Sequence, residues 1–131
     1  MKKINDYADA CADQKIKQLQ LSDFDFLPNP KDRISAFGEH KLITWIRSLN
    51  DKWETDWTDD SQRKYFMWFL ATKDDTQPTG VRFSFCGYVY DDTFTVVGSR
   101  LCCASPEIAD YLGNNEKFLE YWAEYQVIPM N

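Results

Sequence analysis

This chain has no apolar run near the roughly 20 residues that cross a bilayer as a helix. Its first residues, MKKINDYADAC, put Asn5, Asp6 and Asp9 where a secretory signal would carry its apolar core. Neither a membrane partner nor export is expected, and a cytoplasmic protein is. Glycine is scarce, with five in 131 residues, and no phosphate-cradling loop pattern surrounds any of them. Histidine occurs once, at His40, which excludes a histidine-rich metal centre. Positive charge is in the minority: fifteen Lys and Arg stand against twenty-one Asp and Glu, giving a net charge of −6 and a pI near 4.7. That balance favours solubility and opposes a sequence-independent grip on nucleic-acid backbones. The four cysteines, Cys11, Cys86, Cys102 and Cys103, form no CxxC pair. Free, mostly buried thiols are expected, with no disulfide, metal or cofactor.

Apolar residues make up 44% and aromatics 16% of the chain, enough for the core of one domain spanning 1–131. Ile4, Tyr7, Ala8, Cys11 and Ala12 recur at the spacing of a short helix within 4–20, which SDFDFLPNP then breaks. Asn29 and Pro30 suit the start of a helix over 31–51, whose apolar stripe is Ile34, Phe37, Leu42, Trp45, Ile46 and Leu49. After the polar, irregular stretch 53–63, KYFMWFLAT (64–72) reads as a strand buried on both faces. VRFSFCGYVY (81–90) alternates, with Val81, Phe83, Phe85 and Val89 on one side and Arg82, Ser84, Cys86, Tyr88 and Tyr90 on the other. A three-residue loop then leads to a strand over 94–104, pairing Leu101 with Phe83 and Cys103 with Val81. Ser105-Pro106-Glu107 opens a helix over 105–126, which Gly113-Asn114-Asn115 ends or kinks before a second segment from 115. The expected fold is α+β: a three-stranded antiparallel meander packed on two to four helices, in the order α-α-β-β-β-α.

Few side chains point to chemistry. A thiol nucleophile at Cys102 or Cys103 needs a base, and His40 and Arg100 are the candidate helpers, yet no cysteine-enzyme signature surrounds them. The acidic stretches at 56–60, 74–75 and 91–92 lack the alternate acids, central glycine and closing glutamate of a calcium loop, so they read as turns. No catalytic residue is assigned. The alternation places Arg82, Arg100, Tyr88 and Tyr90 on one sheet face, with Trp68 near them. Left open, such a face would stack single-stranded bases. Closed by Glu107, Asp110 or another carboxylate, its arginines are structural, and this is the expected outcome. Trp53 and Trp57, in a flexible acidic loop, are the candidate anchors for a protein partner, a second copy of the chain included. Three functions follow, in order of preference: an interaction protein without enzymatic activity, a single-stranded nucleic-acid binder, and a cysteine enzyme.

Three stretches taken together carry a resemblance: LNDKWETDW (49–57), KYFMWF (64–69) and VGSRLCCASPEIADYLG (97–113), with DYADAC (6–11) ahead of them. They resemble a group of small uncharacterised proteins from gut bacteria, their phages and mobile elements. The chain departs from that group at Met67, where the group tends to carry proline, and at Asn114-Asn115, which lengthens the segment after Gly113. The resemblance implies a shared fold and an origin in gut bacteria, their phages or mobile elements. It implies no activity.

Overall fold

The computed structural model describes residues 1–77, 80–92 and 99–127. Asp6 caps the first helix, α1 (Tyr7–Gln14), its carboxylate accepting from Asp9 N–H at 2.8 Å. Ile4, Tyr7, Ala10 and Cys11 are buried, so one face of this short helix meets the core. Asn29 and Pro30 open α2 (Pro30–Asn50) as expected, the Asn29 side chain accepting from Lys31 N–H at 2.9 Å. The expected helix over 105–126 is two helices, α3 (Pro106–Gly113) and α4 (Glu116–Gln126). Ser105 caps α3, and Asn115 starts α4 afresh by accepting from Lys117 and Phe118 N–H at 2.9 and 3.2 Å. An asparagine that satisfies two free donors makes a new helix start cheaper than a bent continuation.

The core sits around α2, against which α1 and α4 both pack. Trp45 is fully buried; its indole N–H donates to Ile4 O at 3.1 Å, and its ring meets Phe118 and Tyr121 edge-on at 5.8 and 5.9 Å. Burial of each such side chain contributes about 1.5–3 kcal/mol. Gly38 lets α4 approach: a Cβ there would stand 2.6 Å from Tyr125 N.

The sheet corrects the sequence reading. Among the described residues it is two-stranded, with β1 (Lys64–Lys73) antiparallel to β2 (Val81–Asp91). Of the expected third strand, residues 93–98 lie outside the described residues, and Ser99–Leu101 forms a 3-10 turn. Cys103 makes an isolated antiparallel bridge to Tyr65 of β1, with bonds of 3.2 and 2.8 Å. The expected pairs Leu101–Phe83 and Cys103–Val81 do not form. The reason lies at the end of α2, where the Asn50 amide donates to Cys102 O at 3.0 Å and accepts from Ala104 N–H at 2.8 Å. Backbone groups held by Asn50 are not available to a ladder. Leu101, Cys102 and Cys103 are nonetheless buried, so their apolar character reports contact with the core and not strand pairing.

A second correction concerns the faces of the hairpin. Trp68 pairs with Gly87 but Phe69 pairs with Phe85, which leaves Cys86 as the extra residue of a bulge. Gly87 supplies the backbone, with φ at 123°. One extra residue reverses the side of everything beyond it. Tyr88 and Tyr90, opposite Met67 and Tyr65, therefore share the inner face with Phe69 and Phe85. The part of that face around Phe69 and Phe85 packs on the helices, Phe69 meeting Trp122 at 4.7 Å and Phe85 lying against Gly113, where an added Cβ would come within 2.2 Å of its ring, while Tyr88 and Tyr90 stay exposed. Lys64, Phe66, Trp68, Leu70 and Val89 share the outer face, with Ser84 and Arg82 beyond the bulge. Strand β1 is not buried on both sides as expected.

Candidate interaction surface

The stretch 53–63 covers one end of the outer face, and it is built, not loose. Asp56 accepts from Thr58 N–H and Oγ1 at 2.9 and 2.6 Å, and Asp59 accepts from Ser61 N–H and Oγ at 2.9 and 2.6 Å. These bonds hold both carboxyls below their ordinary pKa, because they stabilise the charged form. The Gln62 amide ties the ends together through Asp56 N–H and Glu54 O, each at 2.8 Å. Lys64 anchors the whole turn. It is fully buried, donating to Gln62 O and Asp92 O at 2.9 Å, with its ammonium 4.8 Å from the centre of the Trp57 ring. A buried cation is tolerable when carbonyl oxygens and an aromatic face replace its water. Trp57, expected as an exposed anchor, is half-buried over this ammonium.

Four residues along the same face the cover is gone. Trp68 is 59% exposed, Leu70 56% and Val89 46%. A cavity of about 470 Å³ borders two of them, Trp68 and Val89, and reaches round to Met67, Phe69, Tyr90 and Trp122 of the inner side. Exposed apolar side chains scattered singly are ordinary, but three on one face next to an aromatic cavity are a patch.

The residues singled out from sequence are not brought together. Arg82 pairs with Thr72 at one end of β1, whereas Cys103, three residues after Arg100, bridges Tyr65. Thr72 and Tyr65 are about 23 Å apart along an extended strand. Tyr88 and Tyr90 lie on the other face from Arg82, in contact with Tyr65 at 5.6 and 6.0 Å, and the Arg63 guanidinium covers Tyr90 at 4.3 Å. The expected shared arginine and tyrosine face is thus corrected: the bulge at Gly87 divides it. Neither Glu107 nor Asp110 closes over the arginines. Arg82 is 59% exposed with Asp74 at 3.9 Å, a weak surface contact. Arg100 and the half-buried Trp53 line a separate cavity at the end of α2.

The cysteine and histidine chemistry is also dispersed. Cys11, Cys86 and Cys103 are free thiols, Cys11 and Cys103 buried and Cys86 exposed. Burial pushes the Cys102 thiol up to about 11 and the Cys103 thiol higher still, so both are held protonated. His40 lies ten residues before Asn50, about 15 Å along α2 from the segment that Asn50 holds. Its Nε2 shares a 2.9 Å hydrogen bond with the Tyr7 hydroxyl, which accepts from Leu19 N–H, also at 2.9 Å. Burial lowers the His40 pKa, with the Arg47 charge adding to it, and burial raises Tyr7 to about 12. The pair is a latch between α1 and α2 and the segment after α1. Among the described residues, no group of three or more His, Cys, Asp and Glu side chains is placed to hold a metal, and no helix is long and apolar enough to cross a membrane.

Sequence reasoning missed Lys64, Arg63 and Asn50. A lysine at a strand start reads as solvent-facing, and nothing in the order of residues tells which carbonyls will surround it. No protein-family model matches the chain, and neither a curated protein nor a solved structure matches it.

Proposed function

We propose that this chain is an interaction protein without enzymatic activity, and that the bare end of the outer face docks a protein partner. The observation that carries the proposal is the exposure of Trp68 and Val89 on the wall of an aromatic cavity of about 470 Å³, with Leu70 exposed on the same sheet face. Tryptophan in such a setting dominates binding energy, and the cavity suits one bulky apolar side chain as the central anchor. The net charge of −6 selects the rim: the partner carries basic residues around that anchor. An accessory role in a phage or mobile element rests on the sequence resemblance alone. Of the alternatives, nucleic-acid stacking needs the arginines and tyrosines on one face, and the register divides them. The cysteine-enzyme reading needs a thiolate, and burial opposes one.

A photocrosslinking residue in place of Leu70, expressed in the native host, tests this reading. The expected result is one discrete protein adduct, lost when Trp68→Ser is added and not seen from the exposed position of Glu107. No adduct from position 70, or the same adduct from both positions, would overturn it. Sedimentation of the purified chain decides whether that partner is a second copy.

A further inference from the structure

The edge strand of a sheet presents unpaired backbone groups, which proteins protect with a bulge, a proline or a charge. Strand β2 has its bulge at Gly87. Strand β1, KYFMWFLATK, has none of these devices between Tyr65 and Thr72. Two contacts fix the direction of its backbone groups. Tyr65 exchanges bonds of 3.2 and 2.8 Å with Cys103 on the side away from β2, whereas Asp74 N–H donates to Gly80 O at 2.9 Å on the side of β2. That direction alternates along a strand, so Met67, Phe69, Ala71 and Lys73 point their N–H and C=O groups the way Tyr65 does. Among the described residues, no backbone group meets them there. The chain's own third strand is held off, because Asn50 keeps Cys102 and Ala104 and Ser99–Leu101 is a 3-10 turn. Trp68, Leu70, Ala71 and Lys73 are all exposed.

A second β1 fits this edge. Antiparallel pairing about a two-fold axis at Leu70 sets Met67 opposite Lys73 and Phe69 opposite Ala71 of the second copy, with about eight backbone hydrogen bonds. Moving the axis towards Tyr65 drives Lys73 of the second copy into Cys103, and moving it the other way leaves Met67 unpaired. At Leu70 the side chains across the seam suit each other. The Phe69 ring stands beside the small Ala71, and Lys73 stands beside Met67 and not beside its own copy. On the outer face Leu70 meets Leu70 and Trp68 meets Thr72. The hairpin after Lys73 bends towards β2, away from the seam. The net charge of −6 on each copy opposes association, but the seam itself holds no like charges face to face. Repulsion from farther off is screened beyond about 8 Å at physiological salt.

We propose that this chain forms a two-fold dimer in which the β1 edges pair from Met67 to Lys73 and join the two hairpins into one antiparallel sheet. The pairing goes beyond the docking proposed above. It uses the edge, leaves the outer face open, and brings Trp68 and Leu70 of both copies into one apolar strip.

Sedimentation velocity of the purified chain tests the dimer. A seam about 20 Å long is at the small end of specific interfaces, so reversible association with a micromolar Kd is expected. Ala71→Pro removes an N–H that makes no bond within the hairpin, and it should weaken the dimer at least about tenfold while circular dichroism shows the fold unchanged. Leu70→Lys and Leu70→Glu each set like charges face to face across the axis; they should be monomers alone and associate when mixed. In a Cys86→Ser background, Leu70→Cys should form an intermolecular disulfide on oxidation, since facing residues of this kind lie about 4.5 Å apart between Cα atoms. Trp68→Cys, which faces Thr72, should not. The proposal is overturned by a parent chain that stays monomeric at about 200 µM, by a dimer undiminished in folded Ala71→Pro, by charge variants that do not associate when mixed, or by cross-linking at position 68 equal to that at position 70. A monomeric parent would leave docking on the outer face standing, because that docking needs no seam.

Discussion

Lys64 and Trp68 stand four residues apart on one strand and on one face, yet the lysine is fully buried and the tryptophan is 59% exposed. Ordinary hydrophobic ranking would exchange them. The difference is made by the turn 53–63, which folds back over the first end of the face and stops short of the second. Its Asp-x-Thr and Asp-x-Ser turns, the Gln62 tie and the Trp57 ring form a polar lid with carbonyls pointing inward. That lid offers several carbonyl acceptors, which the three donors of an ammonium can use and the single N–H of an indole cannot. Burial along a strand is therefore a property of what lies over it, and the uncovered end is where a second molecule has room.

Breaking the covered end should have the largest effect. Lys64→Met leaves the carbonyls of Gln62 and Asp92 without their donor, and a loss of about 3 kcal/mol in urea unfolding is expected. Retention of full stability would show that the lid does not depend on the ammonium. Trp57→Leu removes the aromatic face and should cost about 1–2 kcal/mol. Combined with Lys64→Met it should cost less than the sum of the two, because both act on one contact. Full additivity in that cycle would separate the two residues.

The His40 latch offers a control outside the hairpin. Its folded pKa lies below the ordinary 6.5 because burial disfavours the charged ring. The unfolded chain takes the proton first, so the latch contributes fully above about pH 6.5 and is lost as pH falls from there through the folded value. Unfolding midpoints at pH 7.5 and pH 5 should differ in the parent and converge in His40→Gln, with Trp68→Ser keeping the parent's pH dependence. An unchanged pH profile in His40→Gln would remove His40 as the cause.

The smallest effect on stability belongs to the bare end. Trp68→Ser should alter unfolding by less than about 0.5 kcal/mol, since an exposed side chain loses little on removal. A loss above about 2 kcal/mol would mean that Trp68 is structural, and the docking reading would go with it. Stability kept while the position-70 adduct disappears would sharpen the contrast between the two ends.

Helix starts were legible because they depend on neighbours in sequence. Asn29, Ser105 and Asn115 each cap with a side chain two or three residues from its donor. The stripe of α2 was legible for the same reason. The bulge was not read, although Gly87 inside an alternating strand was the signal. Overlooking it moved Tyr88 and Tyr90 to the wrong face and assembled a nucleic-acid surface that the register takes apart. The third strand failed differently: Leu101, Cys102 and Cys103 look like strand residues because they are buried, but Asn50 occupies the backbone that a ladder would use.

The sequence by itself determined the helices, the caps at Asn29 and Ser105, and the presence of strands over 64–72 and 81–90, because each rests on interactions within a few residues. It left open whether the last helix ends or bends after Gly113. Tertiary structure alone decided that the sheet has two strands among the described residues, that Arg82 pairs with Thr72 of β1 while Arg100 lines a cavity at the end of α2, and that Lys64 is inside and Trp68 outside. Those outcomes depend on which carbonyls, rings and charges meet across the fold, often from segments dozens of residues apart, and such meetings leave no periodic trace in the chain.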